Sequence, residues 1–306
     1  MKRNVLIVAL LLIAYFALGG YQHVMAGVSG VLGLLGVDRA DAARIVKEVP
    51  SSGVRSIEIS SRGINAYIVR GGADRIQAVL TSKSGTTFLH GFELNAEMKD
   101  GGILVIEANR STPWIPVFMR MGADLTVELP ANLYESVTLA IGSGNASVAD
   151  VEANKIAVTS GSGNIAFGNL SAQEMTVRSG SGNITGERFA AGLLSAETGS
   201  GNIKLADGSA GLRAKTGSGN IRLELEELDR DAELQTGSGN VTVLLRKEPK
   251  SLRFDLSARS GNSSVEWPHR TESAADHRGM KGTIGAGETE LTVRTGSGNI
   301  KLGYRD

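Results

Sequence analysis

Thr236-Gly237-Ser238-Gly239-Asn240 decides how the rest of the chain is read, because its pattern recurs down the sequence. Its last residue falls at Asn145, Asn164, Asn183, Asn202, Asn220, Asn240 and Asn299. A degraded copy ends at Asn262, with Arg259 in place of the first Gly. Successive Asn-to-Asn steps are 19, 19, 19, 18, 20, 22 and 37 residues. Self-similarity at a nearly fixed period marks an array of stacked units.

Aligning the copies on their Asn exposes a second regularity. Ile165, Ile184, Ile203 and Ile221 follow the Asn directly, and Phe167, Leu205 and Leu223 lie two further on. Six before the Asn stand Val158, Val177 and Leu234; eight before it stand Ile156, Met175 and Leu212. Apolar residues two apart on each side of a corner mean strand, corner, strand, each with one buried face. Gly takes positive φ freely, and Asn tolerates the left-handed region while bonding nearby backbone.

The pattern predicts an all-β, single-domain β-solenoid, a parallel β-helix-like stack of about 19-residue coils. In-register stacking would align identical Ser and Asn side chains into ladders. It would also make Arg178, Glu197 and Lys215 cross-strand neighbours of alternating sign. A hairpin meander or propeller is the rival, with each copy as a hairpin loop. Near-identical residues once per copy favour the parallel stack.

Composition narrows the function classes. The 306 residues include 40 Gly and 5% aromatics, which suits a turn-rich β array. With 32 basic and 32 acidic residues the formal charge is zero, so no field recruits nucleic acid or an anionic membrane. Cysteine is absent, which removes disulfides, thiolate metal sites and Cys nucleophiles.

Lys2 and Arg3 precede an uncharged run over residues 5–18, the pattern of an export signal or signal anchor with its basic end in the cytoplasm. Residues 1–26 are therefore expected to form an uncleaved transmembrane anchor, with a cleaved signal peptide as the alternative. Residues 27–50 are expected to be a membrane-proximal linker, helix-compatible over 38–49, and residues 51–306 the solenoid. Within it, 51–135 are expected to be irregular coils and 136–306 the corner repeats. The expected location is a single-pass cell-membrane protein with its C-terminal domain outside the cytoplasm. Residues 111–121, which include Trp114 and Phe118, form an apolar-aromatic segment outside the pattern. It reads as a flap packed over the solenoid end or, functionally, as a partner-binding patch.

The run Leu125-Thr126-Val127-Glu128-Leu129-Pro130, the serial Gly-Ser-Gly-Asn-Ile units and the closing Lys281-Gly282…Gly296-Ser297-Gly298-Asn299-Ile300 resemble the bacterial "putative adhesin" β-strand-repeat family, which includes LiaG-type envelope-stress proteins. The resemblance covers roughly residues 50–306. It implies a β-helix-like fold, often behind a membrane segment, and offers no catalytic residues to transfer.

Gly-Ser-Gly-Asn is not a phosphate loop, since neither Lys-Ser/Thr nor a helix follows it. Calcium-binding β-roll turns need a recurring Asp that this repeat lacks. No cofactor is expected. The insertion over residues 266–290 carries Trp267, His269 and His277, with Arg270 and Arg278. Two His with acids between them could bind metal, and Trp with Arg could stack on a sugar. Neither spacing matches a known ligand set, so a solvated or capping loop is the simpler reading.

Two function classes follow. One is a non-enzymatic, membrane-tethered envelope protein, an adhesion, interaction or envelope-stress scaffold whose partner is an envelope protein or wall polymer. The other is a carbohydrate-active β-helix enzyme, which needs carboxylates or cations clustered on adjacent coils. Of the outward positions two after the Asn, only Lys204 and Arg222 form a basic pair, with no carboxylate cluster beside them. That favours the scaffold.

Overall fold

The computed structural model describes residues 43–72, 74–82, 91–110, 123–267, 270–274 and 279–304. These form 23 β-strands joined in one hydrogen-bonded sheet system. The first end holds β1 (Ala43–Pro50), β2 (Ser56–Ser61), β3 (Asn65–Arg70), β4 (Arg75–Ser82), β5 (Phe92–Lys99), β6 (Ile103–Arg110) and β7 (Ala123–Leu129). The regular stack holds β8 (Leu133–Ile141), β9 (Ala146–Ala149), β10 (Glu152–Ser160), β11 (Ile165–Ser179), β12 (Ile184–Thr198), β13 (Ile203–Ala206), β14 (Ser209–Ser218), β15 (Ile221–Leu225), β16 (Ala232–Ser238) and β17 (Val241–Leu245). The last end holds β18 (Leu252–Ser260), β19 (Ser263–Trp267), β20 (Arg270–Ala274), β21 (Met280–Ile284), β22 (Thr289–Ser297) and β23 (Ile300–Tyr304).

The stack is parallel and in register. Strands entering the Gly-Ser-Gly-Asn corner form one wall, with Ile156 beside Met175 and Met175 beside Leu194. Strands leaving the corner form the second wall, where Ile165, Ile184, Ile203, Ile221, Val241 and Ile300 run as a ladder of like residues. Period-two burial sends these side chains into one continuous core between the walls. Corners line up because each coil repeats the same local sequence. The hairpin rival fails on the same observation, since successive copies pair parallel.

The ends depart from sequence order. Sequence order would put the Asn262 copy directly on the Asn240 copy. Instead the last coil, β22–β23, lies between them: β16 pairs β22 and β22 pairs β18, while β17 pairs β23 and β23 pairs β19. The first end mirrors this, with β2–β3 between β8–β9 and β6–β7. Each terminal coil is then covered by antiparallel strands, β5 and β4 at one end and β21 and β20 at the other. Covering strands of this kind protect a stack that would otherwise expose open, aggregation-prone edges. Arg259, in place of a corner Gly, is exposed in the outermost coil, where no further corner stacks on it.

Two segments differ from expectation. Ala43–Pro50, read as helix-compatible linker, is a strand antiparallel to β4. Its Ile45 and Val49 pack on the core, so packing overrides its weak helical pattern. The insertion over 266–290 is not simply a loop, because it contributes β20 and β21. The sequence expectations for residues 1–42, and for Trp114, Phe118, His269 and His277, lie outside the described residues.

Candidate functional site

The corner residues form a continuous line. Asn65, Asn145, Asn164, Asn183, Asn202, Asn220, Asn240, Asn299 and Asn262 follow one another through the stack. Each Oδ1 accepts a hydrogen bond from the next Asn's backbone N–H, at 2.8–3.1 Å. The side chain thereby satisfies a backbone donor that the corner frees from strand pairing. Asn65 escaped the sequence reading because Ser-Arg-Gly-Ile precedes it; Ala66 and Ile68 at the usual offsets were its trace.

A second line runs beneath the first. The hydroxyls of Ser160, Ser179, Thr198, Thr216, Thr236 and Thr295 each donate to the carbonyl of a corner Gly in the preceding coil, at 2.8–3.1 Å. The expected ladder of Ser and Asn is thus one of Asn and of the hydroxyl before the first Gly. On the opposite corner Asp150, Asn169, Arg188 and Asp207 share φ of 58°, 53°, 49° and 52°. There Asn169 Nδ2 donates to Asp150 Oδ1 at 2.9 Å, and Arg188 Nε donates to Asn169 Oδ1 at 2.7 Å. These residues hold successive coils together.

On the entry wall Arg178 stands beside Glu197, and Glu197 beside Lys215, with Arg178 Nε 3.2 Å from Glu197 Oε2. Farther along, Arg213, Asp231, Glu233, Glu290 and Arg294 line an open groove of about 490 Å³. Asp231 Oδ1 accepts from the Glu290 backbone N–H at 2.8 Å, tying the groove's rim to the last coil. Such mixed charge suits contact with a polar or charged surface.

On the exit wall Lys204 and Arg222 are register neighbours, as their spacing implied. Arg222 is committed to the buried carboxylate of Glu224 through its Nε. Lys301 Nζ binds Glu266, and that hydrogen bond, ahead of a smaller opposing effect of burial, holds the Glu266 carboxyl below the usual range. A depressed folded-state pKa means that the pair's stabilisation is present above about pH 4.5 and is lost as pH falls through the folded value. Glu266→Gln is expected to remove a few tenths of a kcal/mol at pH 7, given solvent screening, and less at an acidic pH below about 4.5. Thermal midpoints of both proteins at the two pH values check this.

Trp267 is 7% exposed and shares the inward parity of Val265, so its indole fills the core under the cap and is not presented for stacking on a sugar. Among the described residues no group of three or more His, Cys, Asp or Glu side chains is placed to hold a metal ion.

The Toastrack DUF4097 family profile matches residues 54–303, nearly the whole described body. The chain belongs to the Toastrack family. The Toastrack fold is shared by a "putative adhesin" from Bacteroides fragilis at 14% identity and a TM-score of 0.51, over 86% of this chain and 98% of that one. A second "putative adhesin", from Parabacteroides distasonis, matches at 11% identity and a TM-score of 0.49, over 86% and 98%. A "putative lipid binding protein" from the same species matches at 15% identity and a TM-score of 0.47, over 87% and 100%. At 14% identity the Bacteroides fragilis match shows a shared fold alone. No curated protein matches the chain.

Proposed function

We propose that this Toastrack chain is a non-enzymatic, membrane-tethered envelope protein whose solenoid acts outside the cytoplasm as a stiff adhesion or interaction scaffold. The observation that carries this reading is the unbroken Asn line. It ties every coil to the next and so holds the outward charged rows at one strand spacing, about 4.8 Å, along the stack. A rigid, evenly spaced surface meets a partner with little ordering cost. The basic-then-apolar N-terminal sequence supports the tether.

Protease added to intact cells is expected to digest the solenoid and leave a short membrane-held stub. Capture of an envelope protein or wall polymer by the full chain is expected to accompany that accessibility. A solenoid protected until the cells are broken would overturn the location. Turnover of wall glycan by the purified chain would overturn the non-enzymatic role in favour of a carbohydrate-active enzyme.

A further inference from the structure

The described body begins at Ala43, the first residue of β1, so the chain N-terminal to it joins the solenoid at that strand. β1 is the outermost strand of the exit wall. Among the described strands it pairs with β4 alone, and β4 lies on the outermost coil of the first end through β7. It also touches β5, the covering strand of the entry wall, so β1 and β5 close the first end together. The chain therefore enters the stack at its tip and not along its flank.

Two exposed apolar side chains mark this tip. Of the four large apolar residues exposed among the described residues, Val46 lies on β1 and Met98 on β5. The charges of the two strands balance: Arg44, Lys47 and Lys99 against Glu48, Glu93 and Glu97. Charge therefore does not draw the tip to an anionic surface, and contact with lipid has to come from the tether and the apolar pair. At the opposite tip β21 exposes Lys281 and Thr283, with Lys281 Nζ 2.9 Å from Asp255 Oδ2.

From this placement we infer that the solenoid stands end-on to the membrane, with the β1–β5 tip against the lipid headgroups and the β20–β21 cap turned outward. The inference rests on the tethered reading above. Length decides between the two ends. Along the exit wall β20 lies twelve strand spacings from β1, about 58 Å. The 16 residues from 27 to 42, between the expected anchor and β1, reach at most about 55 Å when drawn straight. The far cap meets the lipid only with that whole segment pulled out alongside the stack, whereas the β1–β5 tip meets it at any shorter reach. Contact at the near tip also takes Val46 and Met98 out of water. A partner outside the cell then meets the β18–β21 cap first.

The test uses the full 306-residue chain reconstituted into phosphatidylcholine vesicles that carry an acceptor dye on their headgroups. The chain has no cysteine, so Asp100→Cys, just after β5, and Arg259→Cys, near the end of β18, each take a single donor dye at an exposed position. The two positions are ten strand spacings apart along the entry wall, about 48 Å. Energy transfer to the lipid is expected to be at least about threefold stronger from position 100, because transfer falls steeply over such a separation. Equal transfer from the two positions, as from a solenoid lying on its side, overturns the end-on placement and leaves the tether standing. Stronger transfer from position 259 does the same. A chain that fails to float with the vesicles overturns the tethered reading, and this inference with it.

Discussion

Ending the chain after Glu288 is expected to unfold much more than its last coil. The deleted strands β22 and β23 lie inside the stack, and Leu291, Val293, Ile300 and Leu302 are at most 1% exposed. Four such side chains carry about 2 kcal/mol of burial each, so about 8 kcal/mol is lost before counting the surfaces uncovered on both neighbours. Their removal also strips the parallel partners from β16 and β17 on one side and from β18 and β19 on the other. Because repeats couple mainly to neighbours, the damage should be graded along the stack. Hydrogen exchange is expected to show protection lost over β16–β19 and retained over β8–β12. A truncated chain that keeps full protection in β18 and melts within about 2 °C of the parent would mean that the Asn262 coil restacks directly on the Asn240 coil, and the inserted order would be wrong.

The second large effect concerns a methyl group. Gly163→Ala would place a Cβ 1.8 Å from the Gly144 carbonyl oxygen and 2.5 Å from its carbon. Both are backbone atoms of the coil beneath, which the Asn line and strand pairing hold in place, so no side-chain rotation relieves the clash. Overpacking of this kind costs about 3 kcal/mol. That corresponds to roughly 6–12 °C in the thermal midpoint for a body of this size. Gly168→Ala is the matched control, since its Cβ would meet nothing closer than 3.6 Å. Equal midpoints for the two variants would remove close coil approach as the reason for Gly at the corner.

The same contrast shows why these glycines were legible. Gly161, Gly180, Gly199 and Gly217 each lie within 2.5 Å of a preceding corner carbonyl once a Cβ is added, so the spacing between coils writes Gly into every copy. The inward residues around each Asn were legible for a similar reason: one strand's environment is the next strand's environment. Asn65 was not, because its coil meets the irregular end and keeps the Asn without the flanking glycines. For Trp267 the sequence left stacking on a sugar and a capping role both open, because an aromatic in an insertion looks the same whether it faces solvent or the core; its parity in β19 separates the two and puts it inside.

Period and corner chemistry, both local, determined the strand-corner-strand coil, its parallel stacking and its ladder. The order of coils at the ends belonged to the tertiary structure alone. Every coil offers nearly the same apolar ladder to its neighbour, so several orders would bury similar surface. The inserted order comes with contacts distant in sequence. One is the turn at Gly285 and Gly287, both at positive φ, which wraps the start of β18 through Glu288 N–H to Ser251 Oγ at 2.9 Å. Others are the covering strands β20 and β21, and Arg259 left uncovered at the outside.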